Sequence, residues 1–361
     1  MKNNPRAIDL FSGCGGMSLG LERSGFKILL ANDVNKNALK TYQYNFPEVK
    51  TLHADIRKVD PDDIKYDIGV NRVDVITAGP PCQGFSYAGS RDPTDPRNKL
   101  FKNLMRFLDA FKPKAFVMEN VPGLLSMQKG RVIKRIISEF SRLGYHVHMK
   151  TLVASDYGVP QKRERVFIVG TRKKIPKKEL FPRKTSRKPI PSAAAISDLS
   201  FLGINEKAWE YKMPPVSRYQ RMMRRNSKLL YNHESPNHSR RIQSRFARIP
   251  AGHNGHDVLS RVGTCKHTYI KLNPKRTSHT ITTLPEDFVH YRQNRIPTVR
   301  ELARLQSFPD DFVFLGPRTT GGEQRKNECP QYTQVGNAVP PLMAEALFKN
   351  LKRVIRKYYD S

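Results

Sequence analysis

Between residues 7 and 169 short apolar runs alternate with segments of helical period, and most of the apolar runs end on Gly, Pro or a polar residue. Residues 7–11 (AIDLF) stop at Ser-Gly-Cys-Gly-Gly, and Met17, Leu19, Leu21 and Phe26 fit a short helix ending near Gly25. Residues 27–31 read as a second strand, 35–45 as a helix, 49–52 as a short strand and 73–78 (VDVITA) as a buried strand bounded by Gly-Pro-Pro. Leu104, Phe107, Leu108 and Phe111 share one helical face. A strand over 115–118, a helix over 132–143 and strands near 147–153 and 166–169 follow. This alternation predicts a doubly wound α/β domain.

Ligands of an open α/β sheet bind beyond the carboxyl ends of its strands. The Gly13/Gly15/Gly16 loop, Asp33, Asp55, the Pro80-Pro81-Cys82 turn and the Glu119-Asn120 pair all follow a predicted strand. Glycines after the first strand let the backbone approach a ligand, although GxGG departs from the GxGxxG dinucleotide spacing and a plain tight turn would read the same. Asp33 follows Gly13 by 20 residues, the distance at which an acidic residue meets ribose hydroxyls. Asp55 is placed to accept from an adenine amino group, and either Asp alone would also suit a loop or a helix cap.

Cys82, between two prolines and Gln-Gly, sits on a stiff turn, which suits a nucleophile that must be held in position. An inert buried thiol is the alternative. Glu119 reads as a carboxyl acid or hydrogen-bond partner on the same edge, or as half of a surface ion pair. In QKRER, Gln161 precedes Arg163 and Arg165, which strand alternation would put on one face.

Charge marks a second region. The 361 residues carry 64 Lys+Arg against 32 Asp+Glu, a formal +32. Residues 171–296 hold 27 Lys+Arg and 8 Asp+Glu, net +19, and seven of the ten histidines. Such a surplus points to a polyanion, nucleic acid first. The 38% hydrophobic content excludes a wholly disordered chain. No apolar run nears the ~18 residues of a membrane span, and nothing near Met1 resembles a secretory signal. The four cysteines, far apart and without a CxxC pair, form neither a disulfide framework nor a zinc site. A soluble protein of a reducing, cytoplasmic compartment is expected, without a metal.

At these residues the sequence resembles the DNA (cytosine-5)-methyltransferases. The markers run in the family's order: DLFSGCGGMSLGLERSGF, Asn32-Asp33, Asp55, GPPCQGFSYAG, FVMENVPGL, QKRERVFIVG, RELARLQSFPDDF and QVGNAVPP. The resemblance implies a Rossmann-like sheet that binds S-adenosylmethionine (product S-adenosylhomocysteine) and a smaller basic target-recognition domain. It places the catalytic domain at 1–170, target recognition at 171–296 and a returning segment at 297–361, where residues 339–358 read as a helix.

Carried over residue by residue, the resemblance assigns Phe11, Gly13 and Gly15 to the cofactor loop, Asp33 to the ribose and Asp55 with Ile56 to the adenine. Asp33 stands where many relatives have Glu, a shorter arm in the same role. Gly79, Leu100, Asn337 and Val339 would complete the pocket. Cys82 would add to cytosine C6, Glu119 would bind N3 and the exocyclic amino group, and Arg165 with Arg163 would hold the base oxygen. Asn120 would support the Cys82 loop. Residues 84–99 would close over a cytosine flipped from duplex DNA, with Ser86 and Arg97 on phosphates. Thr282 and Thr283, which resemble the family's motif at the end of the recognition region, would contact the DNA. A monomer is expected, with a cognate restriction endonuclease as a companion. The competing readings are a tRNA cytosine methyltransferase on the same scaffold, a catalytically silent DNA-binding protein and, weakest, a dehydrogenase.

Overall fold

The structure, a computed structural model, describes residues 4–81, 100–186, 188–259, 269–320, 324 and 328–360. It divides into two compact units, Met1–Val153 with Glu164–Thr185 and Pro341–Ser361, and Ala154–Arg163 with Ser186–Pro340.

The first unit is built on a seven-stranded sheet of order β3-β2-β1-β4-β5-β7-β6. In chain order its elements are β1 Arg6–Leu10, α1 Gly16–Arg23, β2 Lys27–Asp33, α2 Lys36–Asn45, β3 Lys50–His53, α3 Pro61–Ile68, β4 Val75–Ala78, α4 Phe101–Phe111, β5 Ala115–Asn120, α5 Gly123–Ser126, α6 Arg131–Arg142, β6 His146–Val153 and β7 Glu164–Thr171. The strands from β3 to β5 are mutually parallel. β4 is buried throughout and β1 is buried beyond its first residue, as strands covered on both faces must be. β7 alone runs against its neighbours β5 and β6, because residues 154–163 supply no crossover helix between β6 and β7.

The chain winds from β1 outward to β3 and returns to β4 on the other side of β1. Leu10 and Ala78 are register partners, so the loops that follow β1 and β4 leave the sheet side by side at this switch point. The Gly79 N–H donates to the Leu10 carbonyl at 3.2 Å.

Helix α3 escapes the hydrophobic period but carries helix punctuation. The Asp60 side chain accepts from the Asp62 N–H, Pro61 occupies the first turn and Gly69 ends the helix at φ 64°. The C-terminal helix Pro341–Tyr359 packs on α1. Gly20 makes the approach possible: a Cβ there would lie 2.5 Å from the Ala344 Cβ.

The second unit has little regular structure. Its described strands are Ile270–Lys271 and Phe288–Val289, and the rest is short helices and loops. Irregular backbone leaves many polar groups to satisfy, and buried arginines do much of that here. Arg300 donates to the carbonyls of Tyr231, Pro309 and Phe312. Arg295 forks onto Glu301 at 2.7 and 2.8 Å, and Arg304 bridges Asp198 and Asp310. The RELARLQ motif therefore acts as a buried ionic frame. No described helix is long and apolar enough to cross a membrane.

Candidate active site

Cys82, Ser86, Arg97 and the 84–99 segment lie outside the described residues. What leads up to Cys82 is described. β4 ends at Ala78, and Gly79-Pro80-Pro81 follows. The Asn120 side chain, 2% exposed, donates from Nδ2 to the Pro80 carbonyl at 3.3 Å and accepts from the Val121 N–H. A residue at the end of β5 thus braces the turn that leads up to Cys82.

Glu119 precedes it on β5, and its carboxylate lies 3.7 Å from where a Cβ on Gly79 would stand. Its Oε1 pairs with Arg165 Nε at 2.9 Å, the side chains being 13% and 14% exposed. Neighbouring strands β4, β5 and β7 thus bring the proline turn, the carboxylate and a guanidinium together. Arg163 does not share that face. It precedes β7, and its buried guanidinium donates within the second unit to the carbonyls of Ile281 and Gly336, both at 2.9 Å. Gln161, also in the second unit, bonds the Leu305 carbonyl, the Gln306 side chain and the Ile281 N–H.

The loop after β1 forms the other half of the first unit's site. Gly13 donates its N–H to Asp33 Oδ2 at 2.8 Å, while Asp33 Oδ1 accepts from the Asn35 N–H at 2.8 Å. Burial pushes the Asp33 carboxyl upward against these donors. Gly13 has φ 55° and no described atom within 4 Å of where a Cβ would be, which leaves room for close approach; a Cβ on Gly15 would strike the Phe46 ring at 2.5 Å. Phe11 turns the chain at φ 55° and is half-buried. Val34, 67% exposed beside Asp33, adds an apolar surface that the sequence reading did not mark.

Asp55 caps the turn Ile56–Lys58 and pairs with Arg57, whose side-chain hydrogen bond holds the carboxyl below its ordinary range. Ile56 is buried, and Leu100 is half-buried at the start of α4.

Asp9 was also missed. It lies mid-strand in β1, wholly buried, accepting from Ser18 Oγ at 2.6 Å and from Thr77 Oγ1 at 2.7 Å. Tyr42 donates to Ser18 in turn. Burial pushes its carboxyl up to about 6. Its one signal was an acidic residue inside an apolar strand.

In the second unit, Asn337 is exposed and Val339 buried. Thr282 Oγ1 is engaged locally, donating to Asp287 at 2.6 Å and accepting from the Leu284 N–H, and the Thr283 carbonyl accepts from Thr333. Gly336 of QVGNAVPP packs on that turn, where a Cβ would fall 2.1 Å from the Thr282 oxygen.

The model of the C-5 cytosine-specific DNA methylases matches residues 6–353. The chain belongs to that family. As a DNA cytosine methylase it is 41% identical to the Type II methyltransferase M.DdeI of Desulfomicrobium norvegicum, over 95% of this chain and 88% of that relative. It is 38% identical to M1.HphI of Haemophilus parahaemolyticus, over 94% and 84%. Among solved structures, a prophage-encoded E. coli protein assigned as a DNA modification methyltransferase superposes with a TM-score of 0.80 at 25% identity, over 98% of this methylase and 100% of that chain. The seven-stranded sheet is accordingly the Rossmann-like sheet of these enzymes. A methyl donor and a DNA substrate follow from membership.

Proposed function

We propose that this methylase transfers a methyl group from S-adenosylmethionine to C5 of a cytosine flipped out of duplex DNA, within a defined target sequence, through a covalent adduct on Cys82. The observation that carries the reading is the Arg165–Glu119 pair beside the proline turn.

C5 of cytosine is a poor nucleophile until something adds at C6. The Cys82 thiolate forms an S–C6 bond, and the C5–C6 electron pair becomes available at C5. Glu119 binds N3 and the exocyclic amino group, and Arg165 holds the base's carbonyl oxygen, so both face the charge that develops on the ring. Asn120 holds the Pro80 carbonyl two residues before Cys82, and a stiff turn there would suit a positioned nucleophile. C5 would take the methyl group as the donor's CH3–S+ bond breaks to leave a neutral thioether, after which the C5 proton would leave to a base and the returning electron pair would expel Cys82. The target atom is shielded inside a duplex, which requires flipping; residues 84–99, with Ser86 and Arg97 on phosphates, are the segment to close over the base.

The described residues fit the cofactor. Gly13 is open to close approach, Asp33 offers a carboxylate for ribose hydroxyls, Phe11 and Gly15 shape the loop, and Asp55 with Ile56 suits the adenine. Gly79, Leu100, Asn337 and Val339 complete the assignment, and the bound cofactor supplies an electrophilic methyl sulfonium. We assign Arg163 a positioning role, target recognition to the basic stretch 171–296, and DNA contact at the end of that stretch to Thr282 and Thr283.

The reading extends to a companion restriction endonuclease for the same site and to a methylase that works as a cytoplasmic monomer. Expression in a methylation-free host followed by bisulfite sequencing tests the activity, with Cys82→Ala as control. Site-specific cytosine methylation is expected, and unmodified host DNA overturns the reading. Methyl transfer to tRNA in preference to duplex DNA would move the same chemistry to RNA.

A further inference from the structure

We propose that helix Arg240–Arg248 is a phosphate clamp, a rigid cationic face of the second unit that grips the sugar–phosphate backbone of duplex DNA without reading its bases. The inference rests on the DNA reading above and names the surface that carries it.

The helix reads RRIQSRFAR, and the chain holds no Asp or Glu between Glu234 and Asp257. Arg240, Arg241, Ser244 and Arg248 are exposed and Arg245 is half-buried. None of the four arginines forms an ion pair with a described residue. Within the helix the arrangement works against stability. Arg240 and Arg241 occupy the first turn, at the positive end of the helix dipole. Arg241 with Arg245, and Arg245 with Arg248, are like-charge neighbours at helical spacing.

Other contacts hold the helix in shape. Ser239 caps its N-terminus, accepting from the Ile242 N–H. Phe246 and Ile249 pack with Val289, Ile242, Tyr269 and Ile296 in a small apolar cluster separate from the main core. Lys271, 8% exposed, places its Nζ 3.1 Å from the Phe246 carbonyl at the helix's last turn. One face is thus anchored by a dedicated cluster and a buried ammonium, and the other presents guanidinium groups that no described carboxylate pairs. An arrangement that costs local stability and is supported elsewhere marks a functional surface.

Charge complementarity selects a polyanion as occupant. Arg241, Arg245 and Arg248 follow one stripe at i, i+4 and i+7, about 10 Å long at ~1.5 Å per residue. Phosphates of one strand recur about every 3.4 Å of duplex axis, so the stripe faces about three of them. Gln243, the helix's one carboxamide and its natural adenine reader, donates its Nε2 to the His238 carbonyl at 2.7 Å. The face therefore grips and leaves reading to other residues.

The test measures equilibrium binding of the full chain to a ~30-base-pair duplex across a salt series. It compares the wild type with Arg241→Gln, Arg248→Gln and the Arg241/Arg245/Arg248→Gln triple, with Arg135→Gln on α6 as an equal-charge control for the single variants. The slope of log affinity on log salt should become shallower by about 0.9 per lost contact, and by up to about 2.7 in the triple. The control should keep the wild-type slope, and methylome sequencing should return the same target site for every variant. The single variants change only exposed side chains and decide the matter even if the triple melts early. An unchanged slope overturns the clamp, as does a changed target site with an unchanged slope, which would make these residues base readers. A wild type that methylates no DNA would instead sink the methyltransferase reading, and the slope comparison would still judge the helix.

Discussion

Arg165 Nε and Glu119 Oε1 lie 2.9 Å apart across the antiparallel strands β7 and β5. The pair is largely withdrawn from solvent, so the guanidinium orients the carboxylate rather than decorating a surface. Arg165→Ala should lower single-turnover methyl transfer by about 10²-fold, the usual cost of losing one charge-stabilising donor. Affinity for S-adenosylhomocysteine, measured by calorimetry, should stay within about 2-fold, because the cofactor loop lies at other strand ends. Arg165→Lys should recover only part of the rate, since Lys lacks the planar fork.

Glu301 is wholly buried, forked by Arg295 and close to His290. Burial alone would raise its carboxyl, but Arg295 and His290 bring it down to about 2. A depressed carboxyl adds stability that is present above its unfolded value and is lost as pH falls from about 4.5 towards 2. Glu301→Gln leaves Arg295 buried without its partner and should cost about 3–5 kcal/mol. Thermal melting at pH 7 checks the cost, and the variant should show a weaker acid dependence than the wild type below pH 4.5.

Asp9 titrates in the opposite sense. Its folded carboxyl sits near 6 against an ordinary 3.8, so its contribution is fully present below 3.8 and is lost as pH rises through 6. Melting temperatures of wild type and Asp9→Asn should therefore shift in favour of the variant between pH 4 and pH 7. A difference independent of pH would show that Asp9 does not carry this linkage. Asp9 ties Ser18 of α1 to Thr77, two residues before Gly79, so the variant should also weaken S-adenosylhomocysteine binding.

Gly20→Ala should separate α1 from the C-terminal helix, because the added carbon would meet Ala344 at 2.5 Å. Overpacking of this kind costs about 1–3 kcal/mol, read as a lowered thermal midpoint. Gly69→Ala, where the space is open, meets only the strain of φ 64° and should cost less.

Much of the first unit was legible because its elements follow local rules. Apolar runs marked the strands, and Gly, Pro or Asp at their ends marked the loops. The 20-residue spacing of Gly13 and Asp33 suggested a shared site, and the structure joins the two directly at 2.8 Å. Helix α3 was hidden because capping residues, not an apolar stripe, define it. Arg163 and Arg165 looked equivalent by alternation, but β7 begins at Glu164 and their guanidinium groups are engaged in different units. RELARLQ was recognisable as a marker, whereas its work as a buried frame depends on partners as distant as Asp198.

The amino-acid order by itself determined which segments become strands, which residue types stand at their ends and where the positive charge accumulates, because periodicity, turn chemistry and composition are local properties. The tertiary structure decided which of those residues meet. Glu119 finds Arg165 only because β7 inserts between β5 and β6 in reverse, and Arg304 finds Asp198 and Asp310 only in a dry interior. Burial makes a charge seek a counter-charge at any distance along the chain, and strand order sets which ones it can reach.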